Sequence, residues 1–382
     1  MKYIAFYDVQ EYNSENRSVA PSAANVVNYM VEVMEKSCDI EIVSPSRTLN
    51  KSGHFKGRTT QISRGVSLTQ PPTFGVKSKL GVMCSVLFTR LWMFLYLFFK
   101  LKKKETLVVY HSLAYMTSIR LLKKLKKLNL IMEVREIYSD VRDSYAELAS
   151  ASKRLRKKEI EYFSLADRYI FPTQMLNDLV NTENKPYLIA TGIYRAEKQL
   201  VSKKEDGKTH VVYAGTLRPE KGSATAVELA KYLPENYHIH ILGYGSDKTV
   251  EELKNIISNV VDNSKAAVTY EGLLRGEDFN RFLQSCHIGL ATQDPTSSIT
   301  DTSFPSKILT YLSNDLDVLC AQIPAVKTSP VGEYIYYYDE QTAEKIAKSI
   351  MAIDLSNSKT KRILLNELDK ELKLDIKDLL CF

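Results

Sequence analysis

Cysteine is too sparse in this chain to carry its architecture. Five thiols, Cys38, Cys84, Cys286, Cys320 and Cys381, are scattered over 382 residues, odd in number and without metal-ligand spacing. Cys84, Cys286 and Cys320 sit inside apolar runs. That excludes a disulfide framework and reads as a reduced, cytosolic protein. Low-complexity tracts and internal repeats are missing as well, which leaves an ordinary globular composition, 44% apolar and 25% charged. The opening run Met1-Lys2-Tyr3-Ile4-Ala5-Phe6-Tyr7-Asp8 is too short and too quickly acidic for a signal peptide, and reads as a buried strand. There is no aromatic stacking platform, recognition-helix motif or zinc ligand set, so nucleic acid is not an expected partner.

Acidic residues are scarce in one half only. Residues 1–200 hold 31 Lys+Arg against 19 Asp+Glu, and residues 201–382 hold 21 against 26. The basic excess therefore belongs entirely to the first half, which should present a surface to something anionic.

The chain is long enough for two domains. Short β-branched and aromatic runs alternate with helical stretches throughout. In the first half the expected strands are 2–7, 39–44, 106–111, 130–134, 168–171 and 187–190. In the second they are 210–214, 237–242, 267–271, 288–291, 317–321 and 334–338. Near-continuous apolar strands separated by helices indicate parallel sheets covered on both faces, hence two doubly wound α/β domains. The polar run at 195–208 marks the boundary. We divide the chain into a domain at 1–197, a second at 198–355 and a terminal helix at 356–382. Residues 45–79 fit neither pattern, with seven Lys+Arg, two adjacent prolines and no acid. A loop of that length is usually functional or disordered.

The most hydrophobic stretch is 80–101. It approaches the roughly 20 apolar residues of a membrane span, but Arg90 sits near its centre, at a cost of about 3 kcal/mol. Crossing would also divide one sheet between two sides of a bilayer. A helix buried against the sheet, or dipping into one leaflet, is the expectation. Lys100, Lys102, Lys103 and Lys104 follow at once. Then leucines at 121, 122, 125 and 128 form an apolar stripe opposite Lys123, Lys124, Lys126 and Lys127. This pattern suits a helix lying on anionic lipid. A sheet-covering helix with a solvated basic face has the same pattern.

The chemistry is carried by two elements of one design. In Val211-Val212-Tyr213-Ala214-Gly215-Thr216-Leu217-Arg218-Pro219-Glu220-Lys221-Gly222, a β-rich run ends in glycine and a cationic turn leads into a helix. In Ser303-Phe304-Pro305-Ser306-Lys307-Ile308-Leu309-Thr310-Tyr311-Leu312, a Ser/Pro turn with a lysine enters an apolar helix. A helix start offers free N–H groups and the positive end of a dipole, and so suits a phosphate. Two such starts in one α/β half suggest a diphosphate held between them.

Over residues 209–325 the chain resembles the GT-B glycosyltransferases, in particular the bacterial polysaccharide-assembly group near the retaining glycosyltransferase family four. The resemblance rests on Tyr213-Ala214-Gly215…Lys221-Gly222, on Leu242-Gly243-Tyr244-Gly245, on Tyr270-Glu271-Gly272 and on the Ser303–Leu312 element. In the first half it rests on His111 after a strand and on Glu133-Val134-Arg135-Glu136. It implies a GT-B fold of two Rossmann-like domains facing across a cleft, with the C-terminal helix crossing back. It implies a nucleotide-sugar donor, a UDP-sugar first of all, bound by the second domain. The first, membrane-facing domain would bind a lipid-linked or oligosaccharide acceptor, with the protein held at the inner face of the plasma membrane. Lys221 lies at the family's diphosphate lysine, and Lys307 with Ser306 completes the phosphate clamp. The resemblance implies that Gly243–Gly245 and Glu271-Gly272 border the base and ribose. By the same resemblance His111 would meet the transferred sugar or the acceptor, and Glu136 would serve as base or acceptor anchor.

The family's diphosphate arginine is replaced by Thr216, with Arg218 nearby as a substitute. Its two glutamates are replaced by Thr302 and Thr310; Asp301, beside the first, takes over part of that role, and Asp294 lies in the same loop. Neither Asp278 nor Asp301 has the second aspartate of an Asp-X-Asp, so cations from the protein, with no cofactor and no bound metal, are expected to stabilise the leaving group. Duller readings stand beside these: Lys221 and Lys307 as solvated helix-start lysines, His111 as a satisfied buried histidine, Glu136 as a partner of Arg135 or Arg142. A non-catalytic GT-B partner subunit and a nucleotide-sugar epimerase are the alternative functions.

Overall fold

Strands apolar along their whole length cannot leave a face in water, and here they assemble into two sheets with helices over them. In this computed structural model the described residues are 1–9, 14–137, 149–217, 222–293, 303–357 and 361–381. They fall into two compact units. One comprises Met1–Thr191 and Leu372–Phe382, the other Gly192–Glu371.

In the first unit the strands are β1 (Lys2–Ile4), β2 (Ile40–Val43), β3 (His54–Phe55), β4 (Arg58–Ser63), β5 (Val66–Gln70), β6 (Thr73–Phe74), β7 (Thr106–Tyr110), β8 (Asn129–Glu133), β9 (Arg168–Phe171) and β10 (Tyr187–Ile189). Eight of them form one sheet in the order β10-β9-β8-β7-β1-β2-β5-β4, parallel except where β4 pairs antiparallel with β5. The chain reverses its direction of winding between β1 and β7. The segment 45–79, expected as a loop, instead supplies β3 to β6. Its alternation of exposed and half-buried residues in β4 suits an edge strand, which short-period apolar counting passes over.

The helix Lys79–Lys100 starts on a Ser78 cap that accepts the Gly81 N–H at 3.0 Å. It buries only Ser85, Thr89, Met93 and Leu97, one residue per turn. Leu80, Met83, Leu87, Leu91 and Leu95, at intervals of three or four, are exposed on another face. Of the two expectations, a helix buried against the sheet or one dipping into a leaflet, the first holds along one stripe only. It is long and apolar enough to cross a membrane by length and composition. But β5 before it and β7 after it belong to one sheet, and a crossing would part them.

The neighbouring helix Met116–Lys126 also differs from its expected pattern. Ile119 and Leu122 are buried, while Leu121 and Leu125 are exposed. Leu128 is buried from the following turn, because the helix stops at Lys126 and Lys127 turns into the left-handed region.

The second unit's strands are β11 (Thr209–Thr216), β12 (Tyr237–Tyr244), β13 (Ala267–Gly272), β14 (Ile288–Ala291), β15 (Asp317–Ala321) and β16 (Ile335–Tyr338). They pair all-parallel in the order β13-β12-β11-β14-β15-β16. The winding reverses between β11 and β14, so the crevice outside their carboxyl ends is where an open α/β sheet binds ligands. The terminal helix Lys361–Cys381 begins in this unit, where Lys361 is buried and donates to Asp317 at 2.7 Å. Asp317 closes the Asp-X-Asp of the second half, Asp315-Leu316-Asp317. It lies at the amino end of β15, engaged by Lys361, and not at the ligand end of the sheet.

Candidate functional site

The two segments of the second unit that the sequence singled out leave β11 and β14, the strands flanking the reversal. Arg218, Lys221, Asp294, Asp301 and Thr302 lie outside the described residues.

The helix Ser306–Ser313 is fixed by Tyr311. Its phenol is fully buried, accepts the Ala214 N–H at 2.8 Å and donates to the Leu290 carbonyl at 3.2 Å, so one side chain ties the helix to both β11 and β14. Lys307 is four residues earlier, on the same helical face. Its Nζ lies 3.9 Å from the centroid of the Tyr213 ring and 3.4 Å from where a Cβ on Gly215 would stand. The two cationic elements are thereby brought together: the lysine of one lies against the glycine of the other. Tyr213 is itself held by its hydroxyl, which donates to the Thr216 carbonyl at 2.9 Å.

The backbone is equally constrained. Gly243, with φ at 149°, is the register partner of Gly215, and a Cβ there would come within 1.7 Å of the Gly215 carbonyl oxygen. Only glycine lets β11 and β12 end side by side in this way. Gly222, at φ 81°, is the N-cap of a helix of six residues, Ser223–Glu228, and a Cβ on it would come within 2.0 Å of the Thr292 carbonyl oxygen. Thr292 in turn donates from its hydroxyl to the Gly222 carbonyl at 3.0 Å and accepts Gln341 Nε2 at 2.7 Å. The loops leaving β11 and β14 are thus latched to each other.

The remaining donor-side residues divide. Ser303 and Phe304 are half-buried, and Pro305 caps the helix that Ser306 begins. Thr310 turns its hydroxyl back on the Ser306 carbonyl at 3.2 Å. Thr216 is half-buried at the end of β11, while Tyr244 and Gly245 are exposed at the end of β12. Gly272 has open space where a Cβ would stand. Glu271 meets His240 Nδ1 at 2.7 Å. Burial pushes the Glu271 carboxyl up, and burial followed by the neighbouring His238 pushes the His240 imidazole down to about 3. Both groups move toward their neutral forms, so the contact is a hydrogen bond within a histidine cluster.

In the first unit, His111 follows β7 and stands at the reversal between β1 and β7. Its N–H donates to the Glu133 carbonyl at 2.8 Å and its ring is 1% exposed. Nε2 meets the fully buried Glu159 at 2.6 Å, and Phe163 packs edge-on at 4.7 Å. Burial lowers the His111 pKa, against the opposing pull of Glu159. Nothing in the sequence signals Glu159, which is 48 residues away. Glu136 is half-buried in the segment after β8. Arg135 beside it is engaged by Glu133 at 2.7 Å and by the Ala190 carbonyl.

Comparison with known proteins gives the fold first. No protein-family model and no curated protein matches this chain. Solved structures match over essentially its whole length, and the fold is GT-B. Among them, an alpha,alpha-trehalose 6-phosphate synthase from Burkholderia multivorans superposes with a TM-score of 0.68 at 7% identity, covering 100% of this chain and 97% of that one. A trehalose-6-phosphate protein from E. coli bound with UDP-2-fluoro glucose has a TM-score of 0.64 at 7% identity, covering 99% and 97%. A UDP-forming synthase from Burkholderia xenovorans in complex with glucose-6-phosphate has 0.62 at 9%, covering 99% and 98%. Identities this low establish shared architecture.

Proposed function

We propose that the protein is a glycosyltransferase that takes a sugar from a nucleoside-diphosphate donor, a UDP-sugar first of all, and passes it to a saccharide acceptor in surface-polysaccharide assembly. The observation that carries the reading is the meeting of Lys307 with Gly215 and Tyr213 at the winding reversal of the second sheet. A cation, strand-end glycines and a helix start converge there, as a diphosphate requires. In the reaction the bond from the anomeric carbon to the β-phosphate oxygen breaks, and its electron pair leaves with the nucleoside diphosphate. The acceptor oxygen bonds to that carbon and passes its proton to a base, for which Glu136 is the candidate. Charge grows on the phosphates, where Lys307, the Ser306 helix start and, from the resemblance, Lys221 and Arg218 would stabilise it. From the resemblance, Asp301 would take over part of the missing glutamates' role and Glu136 would serve the acceptor; His111, buried against Glu159, would reach it only when that pair opens. We take the transfer to be retaining and metal-independent. Structural neighbours solved with a UDP-sugar analogue and with a sugar phosphate support a nucleotide-sugar reading.

We further propose that the first unit rests on an anionic membrane at the cytoplasmic face and takes a lipid-linked acceptor. The exposed stripe Leu80, Met83, Leu87, Leu91 and Leu95 supports this, with Lys77, Lys79, Lys100 and Lys102–Lys104 exposed at its two ends. An apolar stripe bordered by lysines suits a helix lying in the interface plane.

A thermal-shift screen against UDP, GDP, CDP, dTDP and ADP tests the donor site. A ligand at a hundredfold its Kd adds about 2.7 kcal/mol, an unmistakable shift. One diphosphate should stabilise the protein, and the matching nucleotide-sugar should be consumed when acceptor is supplied. If no nucleotide shifts the wild-type protein, the donor reading fails and the non-catalytic partner replaces it.

A further inference from the structure

Three imidazoles gather near the amino end of the second sheet, where the proposed transfer has no use for them. His210 of β11 is the register partner of His238 of β12, and His240 follows two residues on. Side chains repeat every two residues along a strand, so all three stand on one face. One nitrogen from each lies within 4.8 Å of the others. His210 and His240 are buried and His238 is part-exposed, which leaves a route in from solvent.

The hydrogen bonding assigns roles to the nitrogens. His210 Nδ1 and His240 Nε2 face each other at 2.8 Å across one shared proton. Tetrahedral zinc, with Zn–N near 2.0–2.1 Å, holds its ligand nitrogens roughly 3.3 Å apart. A movement of about half an ångström would therefore admit an ion in place of that proton. The outward nitrogens are already backed by carboxylates. Asp206 contacts His210 Nε2 at 3.0 and 3.1 Å, and Glu271 meets His240 Nδ1 at 2.7 Å. A carboxylate behind each ligating imidazole fixes its tautomer and orientation toward a metal. His238 is steadied by Thr269 Oγ1 at 2.7 Å and stacks on His240 with centroids 4.0 Å apart.

We propose that His210, His238 and His240 bind one divalent transition metal of the imidazole-preferring kind, zinc before others, with solvent completing its coordination. The ion would clasp β11 to β12, with β13 behind it through Glu271. It would be structural. The ligand nearest the phosphate end is His240, three residues before Gly243 on β12 and so about 10 Å away at roughly 3.3 Å per residue, too far for the ion to touch a phosphate held there. Glu271, which the resemblance set at the base and ribose, is here the support of His240; the three ligands themselves do not depend on the donor reading.

The test uses the full chain, stripped with chelator and titrated with Zn(II) by calorimetry and with Co(II) by visible absorption. One equivalent should bind saturably, with the ligand-field bands of imidazole-bound cobalt and a rise in Tm on adding zinc. His238→Ala should abolish saturable binding. Asp206→Asn, at a half-exposed position where folding is not at stake, should weaken it about 10- to 100-fold. Exposed Cys84 and Cys381 are the competing soft ligands, so a Cys84→Ser/Cys381→Ser variant should bind as the parent does. The proposal is overturned if the parent chain takes up no stoichiometric metal, if both the Ala and Asn variants bind undiminished, or if binding disappears with the two thiols.

Discussion

Lys307→Met removes a charge and leaves most of the stem, and its consequences separate into two measurable parts. In the unliganded protein the ammonium sits 3.9 Å above the Tyr213 ring. A half-buried cation over an aromatic face is worth roughly 0.5–2 kcal/mol. Losing about 1 kcal/mol from a unit of this size lowers Tm by about 2–4 °C. With a diphosphate bound, the same ammonium would make a charge-assisted hydrogen bond worth about 1.5–3 kcal/mol, which corresponds to roughly 10- to 150-fold in Kd. Titration calorimetry with UDP and with uridine distinguishes the two. The variant should lose affinity for UDP by that factor and keep its affinity for uridine, which lacks phosphate, while Lys307→Arg retains most of the UDP affinity. If wild type binds UDP and Lys307→Met binds it within twofold, Lys307 serves only to pack Tyr213 and the clamp is misplaced.

Gly243→Ala would drive a methyl into the Gly215 carbonyl at 1.7 Å, on backbone that cannot yield without breaking the β11–β12 ladder. We expect a loss on the order of 3 kcal/mol or more, read by urea unfolding, and an ordinary surface-like value would show that the strand ends are looser than described. Lys203 donates to the Cys286 and Asp315 carbonyls at 2.6 and 2.9 Å, and burial pulls its pKa down to about 8. The unfolded chain then binds the extra proton between about pH 8 and the ordinary lysine range, so this group makes stability rise with pH across that window. The stability difference between wild type and Lys203→Met should grow in wild type's favour by on the order of 3 kcal/mol over the window, and a pH-independent difference would refute the assignment. Leu87→Asp with Leu91→Asp places two charges on the exposed stripe. Binding to vesicles containing anionic lipid should fall at least tenfold with Tm unchanged, and flotation that is unaffected would remove the membrane surface from this helix.

Reading the sequence locates the strands of both sheets better than it locates their edges, and the reason is burial. β14 and β15 are buried along their whole length, and such apolar runs need no partner to be recognised. β4 is half in water and charged, so the same criterion leaves it within a supposed loop. The site follows the same rule. Gly215 and Lys307 are each visible as a local motif, a strand-ending glycine and a helix-start lysine. Their meeting depends on Tyr311, whose hydroxyl joins β11 to β14, and that bond is a property of the sheet order. Glu159 behind His111 and the Asp-X-Asp spent on Lys361 have the same character.

The histidines show most clearly what one dimension hides. His238-Ile239-His240 alone is an unremarkable alternation on a strand, and His210 is an isolated residue near the start of another. Register makes them one group, because His210 pairs with His238 in the ladder that pairs Gly215 with Gly243 five steps further on. A single pairing therefore sets both ends of these strands. At the carboxyl end it brings two residues without side chains together, so that backbone and Lys307 can approach an anion. At the amino end it brings three imidazoles and two carboxylates together. A slip of one residue would turn His210 to the face opposite His238 and His240, and would place a side chain against the Gly215 carbonyl. The glycine contact and the histidine cluster thus select the same register from opposite ends. This gives the histidines a structural role with or without an ion, and the ion a definite effect if it binds: it would hold the one alignment in which the phosphate end is formed.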